Sequence, residues 1–389
     1  MTDRIRIENL CKIFGKTPKR AIDMLASGET KESVLAKTGQ IVGLDNVSLS
    51  VPAGSIYMVM GLSGSGKSTL ARCVNRLVEP DSGRVLIDGE DILKADDNRL
   101  RDIRRNRMSM VFQHFALLPN KNVIENAEFG LKLRGVPARE RRRKAQQILE
   151  VVGLGAWGNH RPDELSGGMR QRVGLARALA TDADVLIMDE AFGALDPLIR
   201  SEMQEELLRL QQVLRKTIIF ITHDFQEALR LGSRIAIMSD GAVVREGTPQ
   251  EIVLSPDNDY VAAFTRSVDR ARVFDVGSVM TQTRPIVLGA DGSVTFGDAA
   301  GGSFAVDPDG RLLGFCASED IDRLKSASEP RALLSQDYAT TASDAKLVEI
   351  AALCRADRPL AVVDGDGRLA GCVEAQQVLS RIAEPTATV

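Results

Sequence analysis

Residues 61–69 read GLSGSGKST, and this stretch decides the fold of the chain. An apolar run, residues 56–60, precedes it, and residues 70–77 follow with a pattern typical of a helix. A glycine-rich turn between a strand and a helix is the setting of a phosphate-binding loop, because backbone N–H groups and the helix dipole then face one anion. A flexible Gly/Ser loop, the alternative, seldom places Lys-Ser directly before a helix.

The residue types of this loop match the chemistry of a bound polyphosphate. Three glycines let the backbone curl so that its N–H groups point at phosphate oxygens. Lys67 can reach the outer phosphates, and Ser68 can offer its hydroxyl to Mg²⁺. The predicted ATP-binding residues of the loop are Gly61, Leu62, Ser63, Gly64, Ser65, Gly66, Lys67, Ser68 and Thr69.

Length and composition bound the class of protein. A chain of 389 residues predicts two or three domains, and 50 Lys+Arg against 53 Asp+Glu gives no indication of a nucleic-acid partner. Five scattered cysteines without a CxxC pair favour reduced thiols in the cytoplasm. The N-terminal MTDRIRIENL lacks an apolar signal core, and no window approaches the roughly 20 apolar residues of a membrane span. We therefore expect other chains to supply any membrane-spanning helices.

An unusual segment precedes the phosphate loop. Residues 4–10 and 45–51 alternate polar and apolar positions, which predicts strands. Between them, residues 16–40 carry two short helical patterns and predict an inserted helical hairpin of unassigned role. Phe14, just before this insertion, could stack on an adenine ring or could pack in the core, and the residue alone leaves both open.

Polar residues follow three predicted strands, at the carboxyl ends where a nucleotide-binding sheet places its functional residues. Asp189 and Glu190 end the apolar run 185–188, and they predict a Mg²⁺ ligand acting through water and a general base. Gln113 follows the strand 108–112 and would face Mg²⁺ and the attacking water, or else lie on the surface. His223 follows the strand 217–222 and would contact the γ-phosphate or hold Glu190 in line.

A second helix start in the chain is also suited to an anion. LSGGMRQR begins at Leu165, and Ser166 is a plausible N-cap ahead of two glycines that expose backbone donors. One nucleotide seldom needs two such termini from one subunit. We therefore predict a homodimer in which this segment closes over the nucleotide of the neighbouring copy, through Leu165, Ser166, Gly167, Gly168 and Met169.

The run RERRRK at residues 139–144 opens a predicted helix, residues 138–152. It could contact lipid headgroups or a partner, but charge at the start of a helix is more typical of a solvated face, and we assign it no function. Another helix is predicted over residues 123–133.

Six segments together resemble the ATP-binding cassette of ABC transporters over residues 5–256: GLSGSGKST, Gln113, LSGGMRQR, LIMDE, ALD and ITHD. The resemblance implies an α/β P-loop NTPase fold with a RecA-like parallel sheet, an antiparallel β subdomain and a helical signature subdomain. It implies ATP and Mg²⁺ as ligands, with Ser68, Gln113 and Asp189 near the metal. The other implied roles are adenine stacking by Phe14, contacts of Ser166 and Gly168 to the partner's γ-phosphate, a D-loop Asp196, the catalytic base Glu190 and the switch histidine His223.

The insertion wording KIFGKTPKRAIDML and the loop GLSGSGKSTL more narrowly resemble the ATPase of bacterial quaternary-amine importers. Such a protein would energise uptake of glycine betaine, proline betaine or choline from the cytoplasmic face of the inner membrane. Its expected partners are a membrane permease and a periplasmic or extracellular solute-binding protein, with no nucleic acid. The alternatives are an importer ATPase for another small solute, such as an amino acid, and a soluble ABC ATPase outside transport.

The last third of the chain contains an internal repeat. VDPDGRLLG at residues 306–314 corresponds to VDGDGRLAG at 363–371, an offset of 57 residues, and each copy predicts a strand, an Asp-Gly turn, a strand and a helix. This resembles a tandem pair of CBS-type α+β regulatory domains. Ala317, Glu374 and Gln377 depart from the pattern of nucleotide-binding pairs, although Asp320 keeps it. The predicted domains are residues 1–265, a linker 266–274, and repeats 275–333 and 334–389.

Overall fold

The computed structural model describes residues 2–112, 116–193, 195–289, 293–297, 302–327, 329–354 and 358–383. The chain divides into two compact units, Met1–Ile252 and Val253–Val389. The five cysteines are all free thiols, three of them buried. In the part of the chain described, no helix combines the length and the apolar character needed to cross a bilayer.

The first unit alternates strands and helices. Its strands are β1 Asp3–Phe14, β2 Ile41–Pro52, β3 Ile56–Met60, β4 Ser82–Ile87, β5 Glu90–Asp91, β6 Met108–Val111, β7 Val185–Asp189, β8 Thr217–Thr222, β9 Arg234–Ser239 and β10 Ala242–Gly247. Its helices are α1 Pro18–Ala26, α2 Lys31–Thr38, α3 Lys67–Val74, α4 Asp97–Asn106, α5 Val123–Ala127, α6 Phe129–Leu133, α7 Ala138–Val151, α8 Gly167–Ala180, α9 Pro197–Leu214 and α10 Phe225–Leu231. Helix α11, Pro249–Leu254, contains the boundary between the two units.

A mostly parallel sheet forms the centre of this unit, with the strand order β10-β9-β3-β8-β7-β6 among the described residues. Every residue of β3, β7 and β8 is buried, as expected for central strands that are covered on both faces. Because β3, β8, β7 and β6 run parallel, their carboxyl ends lie at one edge of the sheet. The described residues that follow β3, β7 and β8 therefore lie at the same edge of the sheet.

A second, antiparallel sheet has the order β2-β1-β4-β5 in the described chain. The insertion between β1 and β2 folds as the predicted helical hairpin, α1 and α2. This hairpin packs against the two strands through a small apolar cluster of Ile13, Ala21, Val34 and Val42. The insertion is thus an ordered addition to the β-sheet, with a core of its own.

The helical part between β6 and β7 differs in one respect from prediction. Residues 123–133 form two short helices, α5 and α6, and not one continuous helix. Glu128 stands at the junction with φ −80° and ψ −4°, which departs from ideal α-helical ψ. The start of α5 has a full capping box, in which Asn122 and Glu125 exchange side-chain and backbone hydrogen bonds.

The second unit contains two small sheets, with strand orders β12-β11-β13-β14 and β15-β16-β17 among its described residues. Its strands are β11 Ile286–Leu288, β12 Val294–Thr295, β13 Ser303–Val306, β14 Leu312–Cys316, β15 Ala339–Thr341, β16 Leu360–Val363 and β17 Leu369–Val373. Its helices are α12 Asp259–Thr265, α13 Arg270–Val273, α14 Ile321–Leu324, α15 Leu347–Ile350 and α16 Ala375–Ala383.

The predicted repeat is present in the structure as two matching hairpins, β13–β14 and β16–β17, each followed by a helix. The turn of the first is closed by Asp307, whose Oδ1 accepts the N–H groups of Asp309 and Arg311 at 3.0 and 2.8 Å. Asp364 closes the second turn in the same way, at 2.9 and 2.8 Å.

The two hairpins also bond to each other reciprocally. The Leu312 N–H donates to Gly367 O at 3.1 Å, and the Leu369 N–H donates to Gly310 O at 3.0 Å. Because both pairs are related by the 57-residue offset, the two copies face each other across a local two-fold axis.

Candidate nucleotide site

The phosphate loop lies between β3 and α3, as predicted. Gly61, Gly64 and Gly66 have φ values of 150°, 81° and 101°, which side-chain-bearing residues rarely adopt. A Cβ at Gly61 would also lie 2.1 Å from Met238 O. The backbone can therefore take this path only with glycine at these positions.

Lys67 is oriented by the loop itself. Its ammonium group donates to Gly61 O and Leu62 O, each at 2.7 Å, and to Ser65 Oγ at 3.2 Å. The residue is 5% exposed, and this burial lowers the pKa of Lys67, an effect opposed by the nearby carboxylates of Glu190 and Asp189. A desolvated cation with three carbonyl and hydroxyl partners is prepared to exchange them for phosphate oxygens.

Ser68 and Asp189 bring together the oxygen atoms for a metal ion. The Ser68 hydroxyl donates to Asp189 Oδ1 at 2.9 Å. Burial raises the pKa of Asp189, and the charge of Glu190 acts in the same direction. Hydroxyl and carboxylate oxygens are the ligand types that Mg²⁺ takes, and a divalent cation would offset the desolvation of this carboxylate. The donor set therefore fits the predicted metal.

Glu190 and His223 meet at the ends of β7 and β8. Glu190 has φ +48°, and its N–H donates to Ile221 O at 3.0 Å. His223 Nδ1 lies 3.5 Å from Glu190 Oε1, with the histidine side chain 60% exposed and the glutamate 19%. A left-handed backbone at a non-glycine residue is costly, and such strain is found most often at functional sites.

Gln113 falls outside the described residues. The strand that leads to it, β6, is parallel to β7 in register from Met108 opposite Val185 to Val111 opposite Met188. The end of β6 therefore lies at the same sheet edge as Asp189. The predicted role of Gln113 stays a prediction.

Phe14 is exposed at the end of β1, with 43% of its surface accessible, so the core interpretation is wrong. Its ring packs against the backbone of Gly43, where an added Cβ would lie 2.7 Å from the ring edge. Gly43 in turn lies beside the phosphate loop, since a Cβ at Gly66 would lie 2.6 Å from Gly43 O. Phe14 thus presents exposed ring surface near the loop, and Lys12 Nζ lies 5.6 Å from the ring centroid.

The signature segment begins the helix α8. Ser166 is its N-cap and accepts the Met169 N–H at 3.3 Å, while Leu165 is buried. A Cβ at Gly167 would meet no atom within 4 Å, so this helix start is open to an incoming group. At Gly168 a Cβ would lie 3.3 Å from the Leu195 side chain.

Asp196 of the D-loop caps the next helix. It is the N-cap of α9, and its Oδ1 accepts the Ile199 N–H at 3.1 Å. Pro197 occupies the first turn, as its position in the sequence predicted.

Two glycines that support the site were missed at the sequence level. The Gly241 N–H donates to Ser65 O at 3.1 Å, and Gly241 O accepts the Asp45 N–H at 2.9 Å. Together with Gly43, this residue backs the phosphate loop through the main chain. The Asp240-Gly241 turn after β9 was visible in the sequence, but nothing local showed which loop it supports.

Comparison with known proteins adds independent findings. A family model described as "ABC transporter" matches residues 44–193. The chain is 45% identical, over 98% of its length and 92% of the relative, to the glycine betaine transport ATP-binding protein OpuAA of Bacillus subtilis. It is 54% identical to the glycine betaine/proline betaine transport system ATP-binding protein ProV of Escherichia coli, over 73% of this chain and 71% of ProV. A solved dimer of the cassette MJ0796, bound to ADP and Pi, matches with TM-score 0.55 and 33% identity, covering 63% of this chain and 98% of that one.

Proposed function

Because this chain belongs to the family of ABC transporter ATP-binding proteins of glycine betaine and related uptake systems, we propose that it hydrolyses ATP to energise import of a quaternary ammonium solute. The observation that carries the proposal is the identity of 45% over 98% of the chain, which includes both the insertion and the C-terminal repeat. The solute is glycine betaine or a close relative such as proline betaine or choline.

ATP binding rests on residues at one edge of the sheet. The phosphate loop, residues 61–69, and the dipole of α3 receive the phosphates, and Lys67 neutralises the outer ones. Phe14 offers a stacking surface for the adenine ring, since its exposed ring flanks Gly43 next to the loop. The base thus contacts the β-sheet that carries the insertion.

Hydrolysis is assigned to the strand ends. Ser68 and Asp189 would hold Mg²⁺, which supplies positive charge against the phosphate oxygens. Glu190 accepts the proton of the attacking water, and His223, 3.5 Å away, fixes the orientation of that carboxylate. Gln113 is assigned to the same water and metal from its place after β6. Water attacks the γ-phosphorus, the bond to the β-γ bridging oxygen breaks, and ADP leaves with phosphate.

We assign the signature segment to the ATP of a second copy. The open start of α8, with Ser166 and Gly168, supplies backbone donors that one copy does not need for its own nucleotide. Dimeric packing of the related MJ0796 cassette supports this arrangement. ATP bridges two copies and thereby favours the closed dimer.

A mixing experiment tests the dimer. A Lys67→Ala chain and a Ser166→Arg chain should each be inactive, but a heterodimer of the two contains one intact site. Random mixing should restore roughly a quarter of wild-type turnover, because half the dimers are mixed and each has one of two sites. If each site were complete within one chain, mixing would restore no activity.

A membrane permease is the partner that responds to closure of the ATP-bound dimer. A mainly apolar groove of about 380 Å³ lies between α4, β6, α6 and α8 and is bordered by Leu77 and Leu133, which are 51% and 52% exposed. We assign it to a cytoplasmic helix of the permease, which would hold this chain at the cytoplasmic face of the membrane, beside a solute-binding protein outside.

Transport itself tests the function. We expect the chain, reconstituted in vesicles with a permease and a solute-binding protein of the same uptake system, to drive ATP-dependent uptake of glycine betaine. Uptake of an amino acid without uptake of any quaternary amine would contradict the proposed class of solute. ATP turnover independent of the permease would contradict the proposed coupling of hydrolysis to transport.

The C-terminal unit is assigned as a CBS-type regulatory pair. Its two hairpins repeat one bonding pattern about a local two-fold axis, from Asp307 and Asp364 to the reciprocal bonds of Leu312 and Leu369. We place the domain boundaries at residues 265, 274 and 333. Glu374 and Gln377 disfavour a nucleotide in this unit, so a response to ionic strength is the role we propose.

A further inference from the structure

The basic run that opens α7 contains two kinds of residue. Arg141 Nε lies 3.4 Å from Glu128 Oε1, and Lys144 Nζ lies 3.1 Å from Asp182 Oδ2. Arg139, Arg142 and Arg143 form no ion pair with any residue that the structure describes. The run therefore consists of two residues that stabilise the fold and three whose guanidinium groups are uncommitted.

The three uncommitted arginines line one cavity. They lie at spacings of three and four residues, so they share a face of α7 with Gln146. The cavity is a solvent-open depression of about 420 Å³, bordered on its far side by Gly155, Ala156, Gly158 and Asn159. We call it the arginine cavity.

The lining of this cavity is suited to an anion and not to a cation. Among the residues that the structure describes, no Asp or Glu lines it. Glu125 is a more distant electrostatic neighbour of Arg142, but its carboxylate is already held by Asn122 and Lys121. Gln146 is fixed by its own bonds to Gly155 O and Glu150 Oε1, each at 3.1 Å.

The three exposed guanidinium groups repel one another weakly across solvent, and an anion bound between them would replace that repulsion by attraction. Each presents planar N–H donors that match two oxygens of a phosphate group, and arginine is favoured over lysine where such paired recognition occurs. We propose that the arginine cavity is a binding site for a phosphate group, separate from the phosphate loop. The group is carried either by the headgroup of an anionic lipid or by a soluble phosphate compound.

The test uses the full chain with Arg139→Gln, Arg142→Gln and Arg143→Gln combined, since Gln keeps a high helix propensity. The matched control removes three positive charges elsewhere, by Lys16→Gln, Lys19→Gln and Arg20→Gln, which are exposed and have no ion pair among the described residues. Unchanged circular dichroism and thermal midpoint would establish that both variants fold.

Two probes distinguish a lipid headgroup from a soluble compound as the carrier of the phosphate group. Flotation with phosphatidylcholine vesicles, with and without phosphatidylglycerol, measures lipid binding, and titration calorimetry with inorganic phosphate measures the soluble form. The calorimetry uses a Lys67→Ala background so that the phosphate loop does not contribute.

We expect at least one probe to bind. The cavity variant should weaken vesicle binding by about a hundredfold, or phosphate binding by about tenfold, whereas the control should change either by less than about threefold. Vesicle binding alone identifies a lipid and phosphate binding alone a soluble ligand. The proposal is overturned if neither probe binds, or if the two variants lose binding equally.

Discussion

Replacement of Glu190 by Gln tests the assigned base with little change of shape. The amide has the size of the carboxylate and can keep the 3.5 Å contact to His223 as a hydrogen bond. It cannot accept the proton of water. A general base contributes a factor of about 10²–10⁴ to rate, or roughly 3–5 kcal/mol, so turnover should fall by that factor. ATP binding should be unaffected, and the ATP-bound dimer should accumulate.

A second substitution at this position measures the strain of the site. Glu190 has φ +48°, and a left-handed backbone costs a side-chain-bearing residue roughly 1–2 kcal/mol, which Gln retains and Gly relieves. Part of the stability gained by relieving this strain is lost again, because Gly makes the unfolded chain more flexible. A net gain of about 1 kcal/mol would raise the thermal midpoint of Glu190→Gly above that of Glu190→Gln by roughly 2–4 °C.

Phosphate release measures turnover, light scattering with Mg²⁺ and ATP measures the dimer, and calorimetry without nucleotide gives the midpoints. Glu205→Gln is the matched control, because its ion pair with Arg230 at 2.8 Å is exposed and should be worth little. If the turnover of Glu190→Gln stays within about threefold of wild type, Glu190 is not the general base. If the thermal midpoint of Glu190→Gly lies below that of Glu190→Gln, the backbone of residue 190 is not strained.

Three further predictions concern other parts of the molecule. Phe14→Ala should weaken ATP binding by about tenfold in a fluorescent-nucleotide titration, since a stacked base is worth roughly 1–3 kcal/mol; equal affinity would mean that the ring does not meet adenine. Burial raises the pKa of Glu227, so its stabilising contribution is present below the usual value of 4.5 and is lost as pH rises through the folded pKa; Glu227→Gln should therefore raise the thermal midpoint at pH 7.5 but not at pH 4, and a lower midpoint at pH 7.5 would contradict this. Asp307→Ala and Asp364→Ala should each destabilise the second unit by about 1 kcal/mol, because each removes two matching backbone hydrogen bonds; denaturant unfolding should give nearly equal losses, and strongly unequal ones would show that the two turns are not equivalent.

Several features of the site could be predicted because they depend on neighbours in the chain. The order strand, glycine loop, helix defines the phosphate loop locally, and acids after an apolar strand must lie at its carboxyl end. The predicted helix cap Ser166 follows from a side chain that reaches a backbone group three residues on. The repeat at an offset of 57 residues likewise predicted both hairpins.

Other features depend on residues far apart in the sequence. Gly43 and Gly241 back the phosphate loop, but only the folded chain brings them to Gly66 and Ser65. The core alternative for Phe14 was resolved by its place at a strand end beside Gly43. The break at Glu128 between α5 and α6 lies two residues before Gly130, a local signal that the prediction of one continuous helix did not use.

The sequence by itself determined the class of fold, the nucleotide site and the internal repeat, because each is written in short stretches where spacing and residue type are sufficient. Only the tertiary structure decided which charges are free to bind. In the run 139–144, Arg141 pairs with Glu128 at the junction of α5 and α6, and Lys144 pairs with Asp182, which follows α8. Ion pairing depends on distance in space, and a sequence does not contain that distance.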